Sequence, residues 1–526
     1  MRCRLRSCRS RPRSRLERGP LGRGRPEGES FRVSVSPALA IGSNPRPELS
    51  RGGLGLVRAG ATLLAAIASF ATLYAVCRWC GAQTSPAILA AIVAIGLSRR
   101  ANRARRLPFI AVPIAAAGVA VTGAGIGQLL RLDFAWGALA FTAGIFISIW
   151  LRNFDERGRA LGALLALPLI GMLVVPARAA APGGPLVDLA IIIAAGVVPF
   201  ASVAALRRIA GRVGIALVDT PPTGDAEGGE RQPSRGISVP TRMAIQTAIA
   251  VAAAFVLGWV VFRGHWSWAV LTAYIVCSGA RGRGDAAHTG LLRLAGAVSG
   301  TLAAAVLGHV WAPTGALEAG AIFVILFFGV WLRDVSYAWW AGCMTLILAL
   351  LSGSNDGVDI ALLAARLEAI LAGALCGVAA AWFIFPIRTE AVIRRRIADA
   401  LRALDDLVAH ANVRDAGQTG RIARFAHRML ELDRVAPPVR WHRRIFAFAD
   451  RPEHPGRWIE LVDPVRDAAH RLIAEDGWDE QHLAAIRRAI GAARRAIAHH
   501  GKPDAPPQTA SVSAALAALG HVFTLR

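Results

Sequence analysis

The stretch FISIWLRNFDERG occupies residues 146–158, and FFGVWLRDVSYAW occupies residues 327–339. Trp150–Asn153 (Trp-Leu-Arg-Asn) thus recurs as Trp331–Asp334 (Trp-Leu-Arg-Asp), each time where a long apolar run gives way to charge. Working outward from this pair, apolar runs lie near 56–76, 86–98, 107–130, 134–151, 160–176 and 186–206, and again near 242–262, 266–280, 289–311, 316–332, 335–352 and 361–386. Several reach the roughly 20 residues that cross a bilayer as a helix. With 54% hydrophobic residues in the whole chain, a soluble protein is excluded as the default class. The expected fold is all-α: a polytopic membrane protein of about twelve transmembrane helices, with a small cytoplasmic helical domain behind them.

The two Trp-Leu-Arg motifs each close the fourth run of a six-run half, and other landmarks share nearly the same offset. Arg58 matches Arg242, Arg99 matches Arg281, Gly118 matches Gly300, and Gly196-Val197 matches Gly377-Val378. An even number of spans per unit gives both copies one orientation, so the halves read as two parallel six-helix repeats, an arrangement known in transporters. The boundaries follow: a disordered basic arm over 1–50, the first repeat over 51–206, a cytoplasmic linker over 207–241, the second repeat over 242–386, a cytoplasmic helical domain over 387–500 and a loosely ordered tail over 501–526. The arm contains no apolar segment that could act as a signal core. After Pro386, the stripe Ile393, Ile397, Ala400, Leu401, Leu404, Leu407 and Val408 marks an amphipathic helix, with more expected at 418–434 and 479–499.

Charge sets the orientation. Connections at 98–106, 151–159, 207–212, 280–288, 332–334 and 387–396 are rich in arginine. The alternate set carries isolated Arg78, Arg131, Arg178 and Arg263 and the acidic SGSNDGVD at 352–359. Arginine excess marks the cytoplasmic side, which places both termini inside. The net charge of +25 is matched to anionic lipid headgroups. Nucleic acid is excluded as a partner, because the basic segments lack interleaved aromatics.

No phosphate loop, metalloprotease helix or nucleophile elbow occurs, so no catalytic residues, cofactor or metal are assigned and the chain reads as a non-enzyme. Cys77 and Cys80 have no second pair or histidine partners of the kind a zinc site needs and read as apolar filler. The candidates lie inside the second repeat. Spans two and eight are short, and short spans at matching places point to a substrate site. Span eight offers Trp268 and Tyr274 to a planar ligand, although an interfacial aromatic belt explains its tryptophans equally well. Charged groups within spans face cavities or partners. Arg293 and Arg366 therefore become candidates for an anionic substrate, and Glu318 or Glu368 for proton coupling, with an Arg366–Glu318 pair as one way to neutralise both. Snorkelling to the surface is the competing reading. Gly296, Gly300, Gly373 and Gly377 form two small-residue motifs for helix packing.

The stretch WSWAVLTAYIVCSGARGRGDAAHTGLLRLAGAVSGTLAAAVLG (266–308) carries a short span ending LTAYIV, a basic loop, and Arg293 followed by Gly296 to Thr301. Together with RLEAILAGALCGVAAAWFIFPIRTEAVIRRRIADALRAL (366–404), it resembles the fusaric acid resistance protein family, which includes bacterial aromatic acid exporters. The resemblance spans roughly 240–410 and is faint over 55–210. It implies a bacterial inner-membrane protein exporting small aromatic carboxylic acids, with proton coupling, a periplasmic adaptor and homo-oligomers as features to expect. Many family exporters carry a large cytoplasmic domain between the halves, where this chain has only the 207–241 linker. A passive organic-anion channel on the same scaffold, or a structural or regulatory membrane protein acting through its cytoplasmic helices, are the alternatives.

A reporter domain inserted after Gly282 should be active only on the cytoplasmic side, and one inserted after Asn355 only on the outside. The reverse pattern would overturn the orientation.

Overall fold

The computed structural model describes residues 47–524, apart from 105–110, 175–183, 213–236, 311–315, 354–359, 413–416, 446–453, 475–477, 501–510 and positions 263, 334 and 387. The N-terminal arm up to residue 46, the body of the linker, Arg178, Arg263, Asp334 and most of the acidic segment lie outside the described residues.

Each apolar run forms a helix. The first set comprises α1 (Pro47–Trp79), α2 (Ser85–Ala104), α3 (Ala111–Leu132), α4 (Phe134–Trp150), α5 (Glu156–Val174) and α6 (Pro185–Arg212). The second comprises α7 (Val239–Val261), α8 (Trp266–Ser278), α9 (Arg283–Val310), α10 (Ala316–Leu332), α11 (Tyr337–Gly353) and α12 (Ile360–Phe383). Local chemistry sets several starts. Asp133 caps α4 by accepting from the Ala135 and Trp136 N–H groups at 2.9 and 3.1 Å. Ser238 caps α7 through the Thr241 N–H, and Pro240 occupies the first turn, where no N–H is needed.

Eight helices, namely α1, α3, α4, α5, α6, α7, α9 and α12, are long and apolar enough to cross a membrane. The chain is a multi-pass membrane protein. The helices α2, α8, α10 and α11 have shorter apolar stretches. The 13 residues of α8 rise only about 20 Å, against a hydrocarbon core about 30 Å thick.

Six helix pairs of the first set recur in the second with a shift of six, while among the described residues α2–α5 and α3–α4 have no comparable counterpart in the second set and α8–α9 has none in the first. In the first set α1 packs on α2 and α6, α2 on α6, α3 on α5 and α6, and α4 on α5. In the second set α7 packs on α8 and α12, α8 on α12, α9 on α11 and α12, and α10 on α11. The sets meet along two seams, α4 with α7 and α10 with α1. Each seam carries an edge-on phenylalanine pair: Phe141 with Phe255 at 5.4 Å, and Phe323 with Phe70 at 5.8 Å. The Trp-Leu-Arg motifs close the same seams at one end. After α4, Arg152 donates to the Ser278 carbonyl at 3.2 Å, and Asn153 bonds Thr241 at 2.9 Å and Ser238. In the last turn of α10, Trp331 lies where a side chain at Gly55 would touch its ring at 3.9 Å.

Glycines bring backbones together within the second set. Gly296 and Gly300 lie against the Ala338 and Gly342 carbonyls of α11. Gly373 lies against the Ala269 carbonyl of α8, and Gly377 leaves only 2.8 Å between an added Cβ and Val276 Cγ1.

Beyond Pro386, a second core is built by α13 (Thr389–Ala409), α14 (Gln418–Asp433), α15 (Ala436–Ile445), α16 (Pro455–Ala474), α17 (Glu480–His499) and α18 (Val512–Thr524). The apolar stripe of α13 is buried throughout. The expected loose tail is corrected by α18, which packs on α16 and α17. Val512, Ala515, Leu516, Leu519 and Phe523 recur at helical spacing and are all buried, so the tail has a face to bury. This domain docks at the start of α9. The Gly284 N–H donates to Thr389 Oγ1 at 3.1 Å, Arg281 donates to the Arg434 carbonyl at 2.8 Å, and His288 meets the Trp441 ring edge-on at 5.7 Å.

Replacing Gly373 by Val forces a branched side chain into the α8 backbone, and overpacking of this kind costs about 1–3 kcal/mol or more. Gly373→Val should lower the melting temperature of the detergent-solubilised protein by several degrees. Gly118→Ala, whose new Cβ meets nothing within 4 Å, should leave it unchanged. Equal melting temperatures for all three proteins would contradict the packing.

Candidate substrate site

Charges in the second helix set fall at two levels. The first lies toward the end where α13–α18 dock. There Arg293 stands ten residues into α9, about 15 Å along the helix axis. Its face is set by its neighbours: Gly290, one turn below, packs toward α8 and α12, and Gly296, one turn above, packs on α11. Arg293 therefore projects between α11 and the α8–α12 pair. It is 3% exposed. Its Nε has no hydrogen-bond partner among the described residues, and no ion pair reaches it there. A buried, uncompensated guanidinium costs several kcal/mol, so a bound anion at this place would be strongly favoured.

The second level lies toward the opposite end. The Arg366 guanidinium of α12 sits over the Trp268 ring of α8, 5.4 Å from its centroid, and Nη1 donates to the Leu348 carbonyl of α11 at 3.4 Å. His265, at the start of α8, belongs to the same group. Its burial, and then the nearby Arg366 charge, push its imidazole below the usual value, so His265 is neutral at neutral pH. Cation, indole face and neutral imidazole together form a surface suited to a planar anion.

The other sequence candidates lie elsewhere. Tyr274 is buried in the apolar core shared by α4, α5, α7, α8 and α12. Glu318 is half-buried in the first turn of α10, a helix that packs chiefly on α11 and α1. No Arg366–Glu318 ion pair occurs among the described residues, and the main packing partners of α10 are α11 and α1. Glu368 is exposed, on the same outward face of α12 as Leu371 and Leu375. His265 was not singled out from sequence; its cue was its place directly before the short α8. Cys77 is buried and Cys80 half-buried, both with free thiols.

Residues 248–380 match the family described as fusaric acid resistance protein-like. That is a family of membrane transport and resistance proteins. The matched segment runs from α7 to α12 and contains both arginine levels together with Gly296, Gly300, Gly373 and Gly377. No curated protein and no solved structure matches the chain.

Removing an uncompensated buried charge relieves its desolvation cost. Without ligand, Arg293→Met should therefore melt no lower than the unmodified protein, and is expected to melt a few degrees higher. A melting temperature several degrees lower would show that Arg293 serves the fold.

Proposed function

We propose that this chain is a twelve-span bacterial inner-membrane transporter that exports small organic anions, aromatic carboxylates among them. The observation that carries the reading is Arg293: a fixed positive charge, buried and unpaired among the described residues, within a membrane bundle that matches a transport and resistance family. Intramembrane charge of this kind marks substrate pathways.

The rest of the proposal is supported as follows. The four shorter helices follow the same pairing scheme as the long ones, which favours counting them as spans. The helix pairs repeated at a shift of six, and the two Phe–Phe seams, fit a duplicated unit whose halves run parallel. The arginine-rich connections favour cytoplasmic termini, so α13–α18 would lie inside and Arg293 nearer the cytoplasm. The anion would load at Arg293 and leave past Arg366 and Trp268. Export against a gradient would draw on protons, with the half-buried Glu318 as the coupling acid; Glu368, facing out of the bundle, is given no part.

The test is retention of labelled benzoate in cells with and without the gene, repeated with a protonophore and with Arg293→Met. Several-fold lower retention that both the protonophore and the substitution abolish is the expected result. Lower retention that survives the protonophore would favour a passive channel. Retention unaffected by the gene across a panel of aromatic acids would sink the exporter reading.

A further inference from the structure

Besides the Nε atoms of Arg293 and Arg366, two buried hydroxyls in the second helix set lack a hydrogen-bond partner among the described residues, Thr272 Oγ1 on α8 and Tyr337 Oη on α11. Helix register brings both to the level of Arg293. On the α8 side, Val276 lies 3.8 Å from the place of a Cβ on Gly290. Thr272 is one turn before Val276 on the same face of α8, and Arg293 is one turn after Gly290 on α9. The helices run antiparallel through the short 279–282 connection, so both steps climb in the same direction. On the α11 side, Gly296 abuts the Ala341 side chain and Gly300 that of Thr345, so α9 and α11 rise together. Tyr337 is one turn below Ala341, and Arg293 is one turn below Gly296. Three helices thus bring to one level a guanidinium Nε and two hydroxyls that have no hydrogen-bond partner among the described residues.

Resting on the reading of Arg293 as the loading point, we infer that Thr272 and Tyr337 complete a three-point carboxylate site with it. The guanidinium carries the charge complement, and the two hydroxyls donate to the carboxylate oxygens that the guanidinium leaves open. Hydroxyls left unmade in an apolar bundle are costly, and a site built to hydrogen-bond its ligand rejects analogues that lack the matching group. The site therefore selects a monocarboxylate over a neutral molecule of the same shape, such as the corresponding alcohol. Thr272, fully buried on a helix of only 13 residues, has no hydrogen-bond partner for its hydroxyl among the described residues.

Equilibrium dialysis of labelled benzoate against the purified full chain in lipid nanodiscs tests the site, using Thr272→Val, Tyr337→Phe and Arg293→Met. Each hydroxyl deletion should weaken benzoate binding about tenfold without lowering the ligand-free melting temperature, since it removes a donor that the fold does not use. A drop in melting temperature of several degrees in either variant would assign that hydroxyl to the fold and overturn the inference. Benzoate binding by both variants as tight as in the unmodified chain, with Arg293→Met defective, would overturn the inference and leave the transporter reading standing. Loss in only one variant would overturn the three-point arrangement. No benzoate binding by the unmodified chain, or undiminished binding by Arg293→Met, would remove the reading of Arg293 and this inference with it.

Discussion

Inside a bilayer there is no water to complete a hydrogen bond, and every other feature of this chain follows from that constraint. Helices satisfy their own backbones, which is why the apolar runs are helical. Their association then depends on close packing, because lipid tails are as apolar as leucine. Gly296, Gly300, Gly373 and Gly377 meet this need where α9 crosses α11 and where α12 crosses α8. The same constraint makes polar side chains informative. Thr62, Ser69 and Thr345 return their hydroxyls to carbonyls one turn back, at 2.7–2.9 Å. Thr272 does not, and Arg293 is left with a buried Nε.

The two helix sets are joined by aromatic contacts and by few polar bonds. Phe134, Phe255 and Trp266 cluster where α4 meets α7 and α8, with Phe134 stacked on Trp259 at 4.4 Å. Polar contacts gather at one end, where Arg152 and Asn153 tie the end of α4 to Ser278, Ser238 and Thr241. At the join with the helical domain, Gln246 of α7 donates to the Ile384 and Phe385 carbonyls that α12 leaves free. Phe385 itself adopts φ of +47°, a conformation costly for a bulky residue and more so before a proline.

The helices were legible because apolar length and punctuation speak directly about a bilayer: each of the twelve runs read from residues 56–386 coincides with a helix, although α1 begins nine residues earlier than expected and α2, α6 and α9 each extend six residues into the flanking polar sequence. The stripe from Ile393 to Val408 was legible for the same reason, through period alone. The helices α15, α16 and α18 were not. Pro437 and Pro438 stand in the first turn of α15, where proline is compatible with a helix, whereas Pro464 lies inside α16 and argues against a helix there in sequence. In α18, alanines dilute an apolar stripe that is evident only beside the core it fills. At the site, arginine announced itself by its cost in an apolar run; Arg293 is buried and Arg366 half-buried within the second helix set. Pairing was harder. Arg366 with Glu318 was plausible by depth alone, but α10 packs chiefly on α11 and α1. Thr272 and Tyr337 carried no sequence signal, because an ordinary threonine in a span bonds its own helix and an ordinary tyrosine at a span end meets the interface.

The account stands on an unneutralised arginine that takes its counter-charge from a travelling anion, and counterflow in proteoliposomes tests this most directly. Vesicles loaded with unlabelled benzoate and holding the purified chain should take up labelled benzoate well above protein-free vesicles. Vesicles holding Arg293→Met at equal insertion should not. Equal counterflow with and without the guanidinium would contradict the account.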